Sequence, residues 1–110
     1  MRYSYLMILI EVLYFEGCPN AALALELAER VVREEGSEAE IRSVLVDSND
    51  HAERLHFLGS PSIRVDGRDV QPGADSHDSY QLSCRVYDRG GIMSGEPDPE
   101  WIREALRASR

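Results

Sequence analysis

The stretch Val12-Leu13-Tyr14-Phe15-Glu16-Gly17-Cys18-Pro19-Asn20 constrains the fold of this chain more than any other. An apolar run from Ile8 to Phe15 stops at Gly17, a cysteine and a proline follow, and a long helical pattern begins. A nearly continuous apolar run of this length suits a central strand buried on both faces. Proline suits the first position of a helix, where its missing N–H has no partner to lose. Cys18 is therefore expected where a strand hands over to a helix N-terminus. Unpaired N–H groups and the positive end of the helix dipole favour a thiolate there.

The helix is expected over Asn20–Glu35. Ala24, Leu27, Ala28 and Val31 fall on one face, widened by Leu23, Leu25 and Val32. Glu26–Arg30 and Glu29–Arg33 are spaced to pair on the solvent side, and Gly36 is a natural C-cap. A second strand is read over Glu38–Val46. Asp47-Ser48-Asn49-Asp50 then starts a short helix that runs to about Leu58, with Ala52, Leu55 and Leu58 inward. His51 and His56 sit on that helix without a second ligand cluster to meet, so a solvated role outweighs metal binding. Asp66-Gly67 between Ile63-Arg64-Val65 and Arg68-Asp69-Val70 is a hairpin signal. A last helix is capped by Asp98, carries Pro99 at its first position, and turns Trp101, Ile102, Ala105 and Leu106 inward.

Residues 71–97 form an insert between the hairpin and the last helix. In its middle, Tyr80, Leu82, Cys84 and Val86 alternate with Gln81, Ser83, Arg85 and Tyr87, which is strand-like, although Leu82 and Val86 also fit a helical turn. A connection this long in a compact domain is more often functional or mobile than inert.

The 110 residues are read as one domain, with 1–6 as an extension ahead of the first strand. The early Glu11 and the lack of a small-x-small site argue against a signal peptide, and the apolar run is too short to span a bilayer. A net charge of -8 argues against nucleic acid and anionic membranes as partners. All twelve basic residues are Arg, so a catalytic or Schiff-base lysine is excluded. Two cysteines are too few for a secreted disulfide scaffold, and the expected location is the cytoplasm.

Strand–Gly17–Cys18–Pro19–helix, then Leu58-Gly59-Ser60-Pro61-Ser62-Ile63, then Val65-Asp66-Gly67, resembles a thioredoxin-like protein. The likeness runs from about Met7 to Val70, with the last helix as closing element. It implies an α/β fold with a mixed four-stranded core sheet, flanking helices and a cis Pro61 opposite the cysteine. It also implies backbone at Ser60 and Pro61 open to an extended substrate. The departures are specific. The usual C-x-x-C motif reads Cys18-Pro19-Asn20-Ala21, Gly17 stands where an aromatic residue is common, and Val12 stands where thioredoxins carry a buried carboxylate. Glu16 opposes a thiolate by like charge.

What carries over is Cys18 as nucleophile and Pro61 as its cis partner. By topology the insert emerges on the Cys18 side, which brings Cys84 forward as a replacement resolving cysteine. Arg85 beside it is a candidate to stabilise a thiolate or hold an anion. The leading reading is thiol–disulfide exchange or peroxide reduction, with Cys84 or an external thiol as resolver and a protein or small thiol or disulfide as partner. No cofactor is called for. Two alternatives stay open. One is a redox-inactive interaction module, favoured by Ala21 and Val12; the other is a soft-metal thiolate carrier, for which only two sulfurs and the scattered His51, His56 and His77 are available. His77 is placed on the Cys18 side as a possible base, with a plain surface role preferred.

Overall fold

A computed structural model describes residues 7–109. The segment read as an N-terminal extension, 1–6, lies outside the described residues. Strand β1 (Ile8–Tyr14) is followed by helix α1 (Ala21–Glu35), strand β2 (Ala39–Leu45), helix α2 (Asn49–Leu55), and the hairpin of β3 (Ser62–Val65) and β4 (Arg68–Asp69). A 3-10 turn (Ala74–Ser76), the short hairpin β5 (Tyr87–Asp88) and β6 (Met93–Ser94), and helix α3 (Pro99–Ala108) complete the described residues. The described residues form a mixed α/β globule with a four-stranded mixed sheet and three α-helices.

The sheet order is β2-β1-β3-β4. Strand β1 pairs parallel with β2, Ile8 opposite Ala39 through Tyr14 opposite Leu45, and antiparallel with β3, Leu13 opposite Ser62. Period-two alternation divides β1 between two cores. Ile8, Ile10 and Val12 face α1 and α3, where Ala24, Leu27, Ala28, Val31, Ile102 and Leu106 close over them. Leu13 faces the other way, into a smaller cluster with Val46, Ala52 and Phe57. Leu9 and Glu11 are only half-buried, so the second face of β1 is fully covered only at its C-terminal end.

Several local signals produce the expected geometry. Asp66 (φ 49°) and Gly67 (φ 86°) both take positive φ, as a two-residue primed hairpin turn requires. Gly36 ends α1 in the left-handed region, with Gly36 N–H donating to Arg33 O and Ser37 N–H to Val32 O. Asp98 accepts the Glu100 N–H, and Pro99 opens α3.

Three expectations differ in detail. Pro19 is exposed two positions ahead of the helix, whose first residue is Ala21. Asn20 is the N-cap, without a side-chain cap bond. Helix α2 stops at Leu55, because His56 turns left-handed (φ 54°) and Arg64 takes up the last carbonyls, donating to Leu55 O (2.6 Å) and His56 O (2.9 Å). Phe57, not Leu58, then fills the core. On the surface of α1, Arg30 pairs with Glu34 rather than Glu26, while Glu34 and Glu35 receive Arg103 and Arg107 of α3.

Candidate functional site

The C-terminal ends of β1 and β2 and the N-terminal end of β3 lie together. Cys18 occupies the turn that leaves β1 at this end. Its N–H donates to Phe15 O (3.2 Å), and its carbonyl accepts from Ala21 N–H (3.3 Å). The residue is half-buried and its thiol is free. The Phe15 N–H in turn donates to Ser60 Oγ (3.3 Å), which ties the Cys18 turn to the loop before β3. The Ser60–Pro61 peptide is cis, and Ser60, Pro61 and Ser62 are all buried.

The insert crosses this loop. Ser60 N–H donates to Ser83 O (2.8 Å), and Arg85 N–H donates to Ser60 O (3.0 Å), a one-residue parallel bridge between Ser60 and Cys84. Farther along, Gly95 packs so tightly on Asn20 that a Cβ there would overlap the amide. Residues 82–95 thus run from the start of α2, where Leu82 N–H donates to Asn49 Oδ1 (2.9 Å), past Ser60 to the start of α1.

The anchor of this crossing is Arg85. Its guanidinium donates twice to Asp69 (2.6 and 3.0 Å), and also to Ser62 Oγ (2.8 Å) and Gln71 Oε1 (2.6 Å). It lies 4.5 Å above the centroid of the Tyr87 ring. The Arg85 side chain is 7% exposed and that of Asp69 11%. Arg85 is therefore committed to a buried ion pair, a different place from the thiolate or anion partner expected of it. Tyr87 is fully buried, and its hydroxyl donates to Pro61 O (2.6 Å). Burial, opposed by the Arg85 charge, pushes its phenol well above the ordinary tyrosine value, so it stays a neutral donor.

The alternation read over 80–87 holds from Leu82 to Tyr87, with the less apolar set on the inner side. Arg85 and Tyr87 point inward while Leu82, Cys84 and Val86 are exposed, Val86 at 61%. Cys84 is a free, exposed thiol on the outer side of the bridge. The backbone at Ser60, which the resemblance implies is open to substrate, is instead paired with the chain's own segment.

Other expected positions resolve plainly. Val12 is buried in the apolar core opposite Ile63, and Ala21 opens α1 half-buried, so neither a carboxylate nor a second sulfur stands at those positions. His77 is exposed and lines a cleft of 780 Å³ bounded by β4, α3 and the start of the insert. This cleft also takes in Arg54, Arg68, Tyr80 and Trp101, and neither cysteine lines it. Beside the Cys18 turn, Phe15, Glu16, Val46 and Leu82 help line a smaller cleft of about 290 Å³. His51 bonds Asp47, and His56 stacks on Tyr80 (4.6 Å between centroids). Among the described residues no three His, Cys, Asp or Glu side chains group as metal ligands, and no helix is long and apolar enough to cross a membrane.

Asp69, Gln71 and Tyr87 are the site residues that sequence reasoning missed. The signal present was Arg85-x-Tyr87 itself, two residues able to face inward given a carboxylate and a carbonyl to meet. No family model matches the chain, and no curated protein matches it.

Proposed function

We propose that this is a thioredoxin-like thiol protein in which Cys18 is the nucleophile and Cys84 the resolving thiol. One observation carries the reading: the two cysteines of the chain, distant in sequence, lie on loops that meet at Ser60, one through Phe15 and the other through the 60–84 bridge. The sheet order, with α1 and α3 over one face and α2 over the other, supports the thioredoxin-like assignment.

The chemistry needs no cofactor. Facing a disulfide R–S–S–R, the Cys18 thiolate forms Cys18–S–S–R and one RS⁻ leaves. Facing a hydroperoxide, it takes one oxygen to become the sulfenic acid, and with one proton the alcohol leaves. Cys84 then attacks the Cys18 sulfur. The products are an intrachain disulfide and, respectively, a second RS⁻ or water. A small external thiol resolves the same intermediates in the absence of Cys84 and reduces the disulfide again.

With Ala21 in place of a second motif cysteine and Val12 in place of a carboxylate, the dithiol relay of thioredoxin does not transfer. The competing reading, an interaction module without redox chemistry, draws on exposed Val86, Ile92 and Met93 along the same insert. Alkylation rates at neutral pH separate the two. Single-cysteine variants are compared with an unstructured cysteine peptide. Cys18 reacting faster than the peptide supports the thiol reading; Cys18 reacting no faster transfers the assignment to the interaction module.

A further inference from the structure

An extended polypeptide presents its own cysteine to a thiol most readily by pairing its backbone with an open strand edge beside it. At Ser60 that edge is taken. Both of its backbone groups are bonded to the chain's own Ser83 and Arg85. The segment packs closely on this loop: a Cβ placed on Gly59 would lie 3.0 Å from Arg85 Cβ and 3.3 Å from Ser83 O. Three contacts hold the segment over this edge in the reduced protein. It is fixed at Leu82 through Asn49, at Arg85 through the buried Asp69 pair, and at Tyr87 through Pro61 O.

We infer that the Cys18 site takes small disulfides or hydroperoxides, which need no backbone pairing, and turns away extended polypeptides. This rests on the thiol reading above and narrows its substrate class. The exchange step is the one already written: Cys18–S–S–R forms and RS⁻ leaves, with R a small group. The insert acts as a built-in strap that fills the place a substrate strand would take.

The test uses the full reduced chain and three probes. Iodoacetamide reads the intrinsic reactivity of Cys18. Bis(2-hydroxyethyl) disulfide is the small substrate, and the disulfide-linked dimer of an unstructured peptide of about ten residues is the polypeptide substrate. Each rate of adduct formation at Cys18, assigned by peptide mapping, is divided by the rate for a free cysteine peptide. The expected ratio of small to polypeptide disulfide is about tenfold or more, about 1.4 kcal/mol of steric exclusion by the strap that the free cysteine peptide does not impose. Arg85→Gln, which weakens the anchor, is expected to bring the ratio toward one. Equal normalised rates in the unaltered protein overturn the inference, as does a folded Arg85→Gln protein with the ratio unchanged.

Amide hydrogen exchange gives a readout that needs no variant. Ser60 and Arg85 N–H are expected to be protected, and exchange as fast as in an unpaired loop overturns the strap. Failure of Cys18 to react with iodoacetamide while both amides stay protected counts against the thiol reading and, with it, against the substrate class. Normal alkylation with unprotected amides counts against the strap alone.

Discussion

At the scale of single residues, Arg85 and Tyr87 decide how the insert sits. A buried ion pair is weak support for stability when compared with an apolar replacement, but breaking it from one side strands a charge. Arg85→Leu is therefore expected to lower unfolding free energy by about 3–5 kcal/mol, and Arg85→Leu with Asp69→Leu to recover part of that loss. Urea denaturation checks this, and a change within about 0.5 kcal/mol for the single variant would place Arg85 with ordinary surface residues. Tyr87→Phe removes the donor to Pro61 O and is expected to cost about 1–3 kcal/mol. The phenol also leaves a pH signature. Its folded value lies above the unfolded value of 10.0, so its contribution is complete below that pH and is lost as pH rises through the folded value. Stability is expected to fall in alkali, and less steeply in Tyr87→Phe, in melts recorded from about pH 9 upward. Why these two were not foreseen is a matter of register. A period-two pattern fixes which residues share a face but not which face is inside. Leu82, Cys84 and Val86 made the more apolar set. The buried partners that turned Arg85 and Tyr87 inward, Asp69 and the Pro61 carbonyl, are remote in sequence.

At the scale of elements, legibility followed how local the cause was. The Asp66-Gly67 turn, the Gly36 end of α1 and the Asp98-Pro99 start of α3 are each set by a few neighbouring residues, and each was readable. The end of α2 was not, because it depends on Arg64 from another element reaching its carbonyls. Gly36→Ala places a Cβ at φ 64° and is expected to destabilise by about 1–2 kcal/mol, read from the thermal midpoint. The insert offers a sharper check. Arg85 is buried, whereas Arg89 precedes the Gly90-Gly91 turn of the β5–β6 hairpin. Brief trypsin treatment is expected to cut within the insert after Arg89 before it cuts after Arg85, as fragment masses will show. First cleavage after Arg85 would mean that the strap does not hold in solution.

At the scale of the whole molecule, the sheet brings three strand ends together and sets the Cys18 turn beside the loop before β3. That much followed from the order of elements. The contact between the insert and Ser60 did not, since it joins segments more than twenty positions apart through backbone groups that any residue carries. This contact brings the segment that carries Cys84 against the loop that also holds the Cys18 turn, on which the proposed pairing of the two thiols depends. The most direct measurement is mild oxidation of the reduced protein, followed by intact mass and peptide mapping, in the unaltered chain and in Cys84→Ser. The account predicts loss of two hydrogens with a Cys18–Cys84 peptide in the first. In the second it predicts a sulfenic acid, mixed disulfide or dimer at Cys18. A monomer that keeps both thiols free under the same oxidation, with Cys18 unmodified in both proteins, would contradict it.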